Sequence, residues 1–334
     1  MKALVTGATG FVGSHLVERL LGAGMEVACL MRPTSPPRRT ALDGLDVERR
    51  IAALDDPDAL RLAVRGVDYV FHAAGLTRAR NLAEYLAVNA DGTGRLLEAL
   101  LAEGAAPRRF VYVSSLAAAG PAQSPEPPDE SATPHPADDY GASKLAGERV
   151  VLEHANRLPV TIVRPPAVYG PRDANFLPLF RLAARLGRVP VIGKPSKQAA
   201  FVYAGDLAEG LRLAAQTPQA VGRTYYIASG IHTMSEVGQA ICLALNMPPR
   251  MLRVPTLLAL LAGEIGQARW ALTGRAQIIS RRKVRDMLCP WWTCSWTRAR
   301  QELGYRQAVS LQEGMRLTAQ WYVKNGWLKA RRGE

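Results

Sequence analysis

Three glycines spaced three residues apart, where an apolar run meets a helical pattern, constrain this chain more than any other feature. Ala3-Leu4-Val5 reads as a buried strand. The run breaks at Gly7, Gly10 and Gly13, and Leu16, Val17, Leu20 and Leu21 follow at helical spacing. In that setting Gly7 permits a tight turn, Gly10 admits a pyrophosphate close to the backbone, and Gly13 lets helix and strand pack closely. The free N–H groups of a helix starting near Phe11 suit a phosphate. Thr9, Phe11 and Val12, set between the glycines, complete the expected dinucleotide cradle.

The remaining alternation is of the same kind. Glu26–Met31 is a second strand expectation, Val47–Leu54 a short one and Val67–Ala73 a clear one. Pro57–Val64 reads as a helix opened by Asp56. Glu84–Leu101 reads as a long helix carrying Asn89, and Arg109–Ser114 as a further buried strand. Strands alternating with helices on this scale predict an α/β fold with a doubly wound parallel sheet. Ligands in such sheets bind at the carboxyl ends of the strands, where Ala73, Ala74 and Gly75 fall. Arg32 closes the second strand, at the position where an acid binds a ribose 2′-hydroxyl and an Arg accommodates a 2′-phosphate. Arg38 and Arg39 follow closely. NADP is therefore expected, with NAD the alternative.

Residues 120–139 form a Pro-rich loop, and a loop of that length inside a domain is usually functional. It leads into Tyr140-Gly-Ala-Ser-Lys144 and a helix running to His154. Tyr140 and Lys144 are four apart and share one helix face. A phenol titrates near 10, and an adjacent ammonium favours its ionised form, so Tyr140 can exchange a proton with an alcohol or ketone oxygen. Ser115, at a strand's carboxyl end, can hydrogen-bond the same oxygen.

Composition narrows the rest. The 334 residues, 48% hydrophobic and 21% charged, are globular in composition and long enough for one large domain with a smaller companion. Met1-Lys2 leads directly into the first strand, which predicts no leader peptide. The apolar run from Val254 to Gly263 is shorter than the roughly 20 residues a membrane span needs. Four cysteines without framework spacing fit thiols in a reducing cytoplasm, and no metal site is expected. The formal charge of +13 is uneven: residues 250–334 hold 16 Lys and Arg against 5 Asp and Glu. That basic region suggests an acidic carrier protein, coenzyme A or lipid headgroups as a partner. No nucleic-acid module accompanies it, so no nucleic acid is expected. Biased Arg usage, 35 of 42 cations, is the plainer explanation.

Taken together, Thr6–Gly13, His72–Gly75, Asn89 with Gly92-Thr93, Ser114-Ser115, Tyr140–Lys144, Arg164–Pro171, Phe201-Val202-Tyr203 and Ala299–Tyr305 resemble the extended short-chain dehydrogenase/reductase family of NAD(P)-dependent epimerases and dehydratases. The resemblance covers essentially the whole chain. It implies a Rossmann domain over 1–170, to which 199–228 returns, and a smaller α/β substrate domain from 171–198 and 229–334. It implies Ser115, Tyr140 and Lys144 as catalytic residues. Leu54, Asn89, Val113, Pro166, Ala167 and Val168 join the expected cofactor contacts, and Thr77, Asn175 and Phe176 the expected substrate contacts. It also implies a homodimer.

Departures from the family pattern carry information about the reaction. Leu116 and Ala117 follow Ser115 where dehydratases place an acid, which disfavours elimination. Ala167 stands where sugar-nucleotide epimerases commonly have Asn, and Ala199 where they hold a diphosphate with Arg; Lys197 is a nearby substitute. Ala53 replaces an adenine-contacting Asp. The apolar 254–272 stretch, with Trp270 and Leu272, resembles 3β-hydroxysteroid dehydrogenase-like and dihydroflavonol reductase-like members. With Arg250, Arg253, Arg269 and Arg275 around it, it fits a substrate channel, peripheral contact with an anionic membrane, or simple domain packing. The expected activity is interconversion of a ketone and a secondary alcohol on a mainly apolar small molecule. A nucleotide-sugar epimerase with tightly bound NAD and a non-catalytic cofactor-binding protein are the alternatives.

Overall fold

Apolar strand residues buried on both faces require cover on both sides, and the computed structural model supplies it. It describes residues 1–33, 40–273 and 288–329. Arg38, Arg39 and Arg275 lie outside those residues, as do the side chains of Arg269, Trp270 and Leu272. Strands β1 (Lys2–Thr6), β2 (Glu26–Met31), β3 (Glu48–Ile51), β4 (Tyr69–His72), β5 (Arg109–Val113), β6 (Val160–Arg164) and β10 (Thr224–Tyr226) form one seven-stranded sheet in the order β10-β6-β5-β4-β1-β2-β3. Every neighbouring pair is parallel. Strand order reverses direction between β1 and β4, the kind of crevice where doubly wound sheets bind dinucleotides.

Helix α1 (Phe11–Gly22) buries Leu16, Val17 and Leu20 against one face of the sheet, together with Leu207 and Leu211 of α8 (Ala204–Gln216). Each such side chain contributes about 1.5–3 kcal/mol on burial. The other face is covered by α2 (Pro57–Ala63) and α4 (Gly92–Ala102), whose Leu60, Leu96, Leu97 and Leu100 meet Val70, Phe110 and Tyr112. Asp56 caps α2 as the sequence predicts, accepting from the Ala59 N–H at 3.0 Å.

The smaller unit is built on β9 (Gln198–Tyr203), which pairs with β7 (Ala167–Tyr169), β11 (Gly230–Thr233) and β13 (Trp291–Trp292). Helix α7 (Leu177–Leu186), α9 (Met234–Ala244) and the closing helix Leu311–Lys324 pack a separate core around Phe180, Ile241, Met315 and Tyr322. β8 (Val189–Ile192) and β12 (Met251–Val254) form a parallel pair beside it, and α10 (Thr256–Thr273) follows β12.

Three features go beyond the expectation. Residues 198–203 are hydrogen-bonded into the small sheet, while Val202 of the same strand packs into the first unit's core. Later, Ala299, Leu303 and Tyr305 bury themselves in the first unit's core, so the chain crosses back once more within the 229–334 stretch. Finally, the helix expected over Glu84–Leu101 is three pieces: α3 (Leu82–Leu86), a π turn over Ala87–Asp91, and α4. A π turn holds one extra residue, and here that widening falls at Asn89.

Candidate active site

β1 ends at Thr6, and Gly7 turns the chain with φ +69°, in the left-handed region that suits glycine. A Cβ on Gly7 would lie 2.7 Å from the Ala74 nitrogen, so the turn sits directly against the loop leaving β4. A Cβ on Gly13 would come within 2.1 Å of the Gly7 carbonyl oxygen. The third glycine is therefore needed because α1 packs onto the turn itself. Gly10 is the N-cap of α1 and offers no capping side chain, so the first N–H groups of the helix, at Phe11 and Val12, have no partner within it. Open donors at a helix start, in a cradle that any Cβ would fill, fit the pyrophosphate of a dinucleotide. Thr9 is exposed and Val12 half-buried beside this opening.

A buried chain of hydrogen bonds fixes the cradle to its neighbours. Thr93 Oγ1 donates to the Asn89 carbonyl at 2.9 Å, so it must accept at 3.0 Å from His72 Nε2. His72 Nδ1 is then the acceptor, and Thr6 Oγ1 donates to it at 2.7 Å while accepting from the Ala74 N–H at 3.1 Å. One tautomer satisfies all four contacts. Burial holds the His72 imidazole neutral, pulled down to about 3, with the Lys144 charge adding to the effect.

Asn89 has a positioning role. Its amide accepts from the Leu76 N–H at 2.8 Å and donates to the Leu76 carbonyl at 3.0 Å and to Ser143 Oγ at 2.9 Å. It thereby ties the Ala73–Leu76 loop to the helix that carries Tyr140, and both its N–H donors are engaged within the protein. That helix, α6 (Asp139–Glu153), is capped by Asp138, which accepts from the Gly141 N–H at 2.7 Å.

Lys144 is buried on α6. Its ammonium donates to the Val113 carbonyl at 2.7 Å and lies 4.3 Å from the centre of the Tyr112 ring. A Cβ on Gly75 would be 3.7 Å from Nζ, which places the amine beside the β4 loop. Burial draws its pKa from 10.5 down to about 7, and the carboxylate of Glu148 pulls the other way. Tyr140 is half-buried, with its ring 6.0 Å from that of Tyr85. Ser115 caps the short helix α5 (Leu116–Ala119) and accepts from the Ala117 N–H at 3.1 Å, which leaves its hydroxyl proton to donate elsewhere. Helices α5 and α6 pack closely enough that a Cβ on Gly141 would lie 2.2 Å from the Ala117 carbonyl. Lys144 thus sits at the carboxyl end of β5, and the helix that carries it and Tyr140 packs on the short helix capped by Ser115.

Arg32 is exposed just past the end of β2. Leu54 is half-buried, and its carbonyl accepts from Arg95 Nε at 2.7 Å. Pro166 is buried beneath an exposed Ala167, and Val168 is half-buried. Thr77 is exposed, with its carbonyl accepting from the Tyr85 hydroxyl at 3.2 Å. Arg78 Nη2 donates to Asn175 Oδ1 at 3.0 Å, closing the loop after β4 onto the loop before α7 across the two units. Phe176 packs with Tyr169 and Phe201 in the smaller unit.

Sequence reasoning missed Arg78, Arg95 and above all Glu148. Glu148 accepts from Ser114 Oγ at 2.5 Å and, with both oxygens, from Arg164 at 2.8 and 2.6 Å. This buried pair joins α6 to β5 and β6 directly behind Lys144. An acid one helical turn beyond a functional lysine was a usable signal. Its arginine partner, sixteen residues on at the end of a strand, was not.

A family signature described as "NAD dependent epimerase/dehydratase family" matches residues 3–228. Among curated proteins, the chain is 35% identical to "Ceramide reductase" of Caulobacter vibrioides, covering 97% of this chain and 95% of that one. It is 31% identical to "2-alkyl-3-oxoalkanoate reductase" of Stenotrophomonas maltophilia, covering 95% and 98%. Among solved structures it resembles DesIV, a dTDP-glucose 4,6-dehydratase from Streptomyces venezuelae with NAD and TYD bound. That match has a TM-score of 0.78 and 26% identity, over 98% of this chain and 99% of that one.

Proposed function

The chain belongs to the NAD dependent epimerase/dehydratase family and is an NAD(P)-dependent enzyme of the extended short-chain type; from that premise we propose that it is an NADP-preferring reductase. It interconverts a ketone and a secondary alcohol on a mainly apolar small molecule. The observation that carries this reading is the buried Lys144 ammonium donating to the Val113 carbonyl at the end of β5, on the helix that carries Tyr140 and beside the short helix capped by Ser115. Bound cofactor supplies the hydride. Ser115 donates its free hydroxyl proton to the substrate oxygen, and Tyr140 delivers the proton that completes the alcohol. Lys144 lowers the energy of the phenolate that remains.

Two features favour simple carbonyl reduction over dehydration. The residues after Ser115 are the buried Leu116 and the half-buried Ala117, so no second acid or base stands where elimination needs one. Two relatives are named as reductases, of a ceramide and of a 2-alkyl-3-oxoalkanoate. Arg32, exposed after β2, supports NADP. A nucleotide-sugar epimerase is the second reading, and one observation favours it: Lys194, Lys197 and Arg253 line a cavity of about 800 Å³ that would suit a diphosphate.

Purified enzyme given NADPH and a panel of long-chain β-keto compounds should consume NADPH stoichiometrically with alcohol formed. Tyr140→Phe should reduce turnover by roughly 10²–10⁴-fold while binding NADPH nearly as wild type. Epimerisation of a nucleotide sugar with no net cofactor change would replace the reductase reading. Near-normal turnover in Tyr140→Phe would remove the proton-transfer role.

A further inference from the structure

Helix α10 turns its large apolar residues outward and its small ones inward. Ala259, Gly263 and Gly266, at positions i, i+4 and i+7, face the protein and are buried. Leu257, Leu258, Leu261 and Ile265 face outward, with relative exposures of 68, 57, 51 and 62%. A surface helix ordinarily hides its largest apolar side chains and shows polar ones. This one packs through its smallest residues and presents a ridge of leucine and isoleucine, and Leu252 of β12 is exposed as well, at 38%. Contiguous exposed apolar surface of this kind marks an interaction face.

The charge around the ridge selects the occupant. Arg250, just before β12, and Arg253 on β12 are exposed, and Arg253 and the exposed Lys194 line one cavity with Thr256 at the start of α10. Glu264 is the one acid between residues 250 and 266. Two copies of such a face would bring like charges together. A sheet of anionic headgroups over hydrocarbon matches both the cations and the apolar ridge. No helix among the described residues is long and apolar enough to cross a membrane, so the helix would lie along the surface. We propose that α10 is a peripheral docking face that seats the enzyme on an anionic lipid bilayer, with Leu257, Leu258, Leu261 and Ile265 in the acyl boundary and Arg250 and Arg253 at the headgroups.

The test is co-sedimentation of the full-length protein with vesicles of phosphatidylcholine alone or of equal parts phosphatidylcholine and phosphatidylglycerol. Wild type should pellet with the anionic vesicles only, and less so as salt is raised. Leu257→Glu/Leu261→Glu/Ile265→Glu should stay in the supernatant while keeping the wild-type unfolding transition and NADPH binding, since all three side chains are already in water. Arg250→Ala/Arg253→Ala should bind more weakly, by roughly fivefold per cation removed. Absence of pelleting with anionic vesicles, or equal pelleting of the triple variant, overturns the proposal. A lipid-free dimer that becomes monomeric in the triple variant assigns the ridge to a second copy of the chain instead.

Discussion

The Lys144 ammonium donates to the carbonyl oxygen of Val113 at 2.7 Å. That single contact fixes the α6 amine against the end of β5, while the rest of its surroundings is protein interior. Burial brings its pKa to about 7, so the charge proposed to steady a Tyr140 phenolate is itself lost near neutrality. In the free enzyme, kcat/KM for ketone reduction should hold on the acid side and fall as pH rises through about 7. Lys144→Met should lack that limb and turn over about 10²-fold more slowly. An unchanged limb in the variant would assign it to another group.

Glu148 and Arg164 form a bidentate pair whose side chains are only 2 and 6% exposed. Removing one member leaves the other charge buried and unmatched. Glu148→Gln should therefore destabilise the protein by about 3–5 kcal/mol, read from urea midpoints. Combined with Arg164→Met it should lose less than the sum of the two single changes. Strict additivity would show that the pair is not coupled.

His72 titrates at about 3 in the native state because burial disfavours its charge. The unfolded chain takes up that proton near pH 6.5. Between those values the unfolded state binds more protons, so stability falls as pH is lowered through the window. His15, drawn to about 4 by burial and by Arg172, acts in the same direction. Urea midpoints followed down that window should decline, and His72→Gln should shallow the decline without abolishing it. A slope identical to wild type would mean that His72 is not the neutral group inferred from its hydrogen bonds.

The proposed preference for NADP rests on Arg32, exposed just past β2. Arg32→Ala should weaken NADPH binding by roughly 10–100-fold, the equivalent of one charge-assisted contact, and leave NADH binding unchanged. Parallel fluorescence titrations measure both. Equal losses for the two cofactors would place Arg32 away from the 2′-phosphate.

Much of the site was already visible in the linear chain because its chemistry is local. Gly7, Gly10 and Gly13 lie within one strand-to-helix turn, and Tyr140 and Lys144 are one helical turn apart. Spacing and residue type alone placed these groups, and the doubly wound sheet followed from the alternation around them. Folding in three dimensions decided the rest. Asn89 acts as a brace because a π turn, invisible in a periodicity that differs by one residue, rotates it onto Leu76 and Ser143. Lys144 has a shifted pKa because it is buried, and in α10 it is Ala259, Gly263 and Gly266 that are buried while the leucines stay exposed. Such properties depend on which distant segments meet. A sequence states what each residue can do, and only the packed chain determines which neighbours and how much water it does it with.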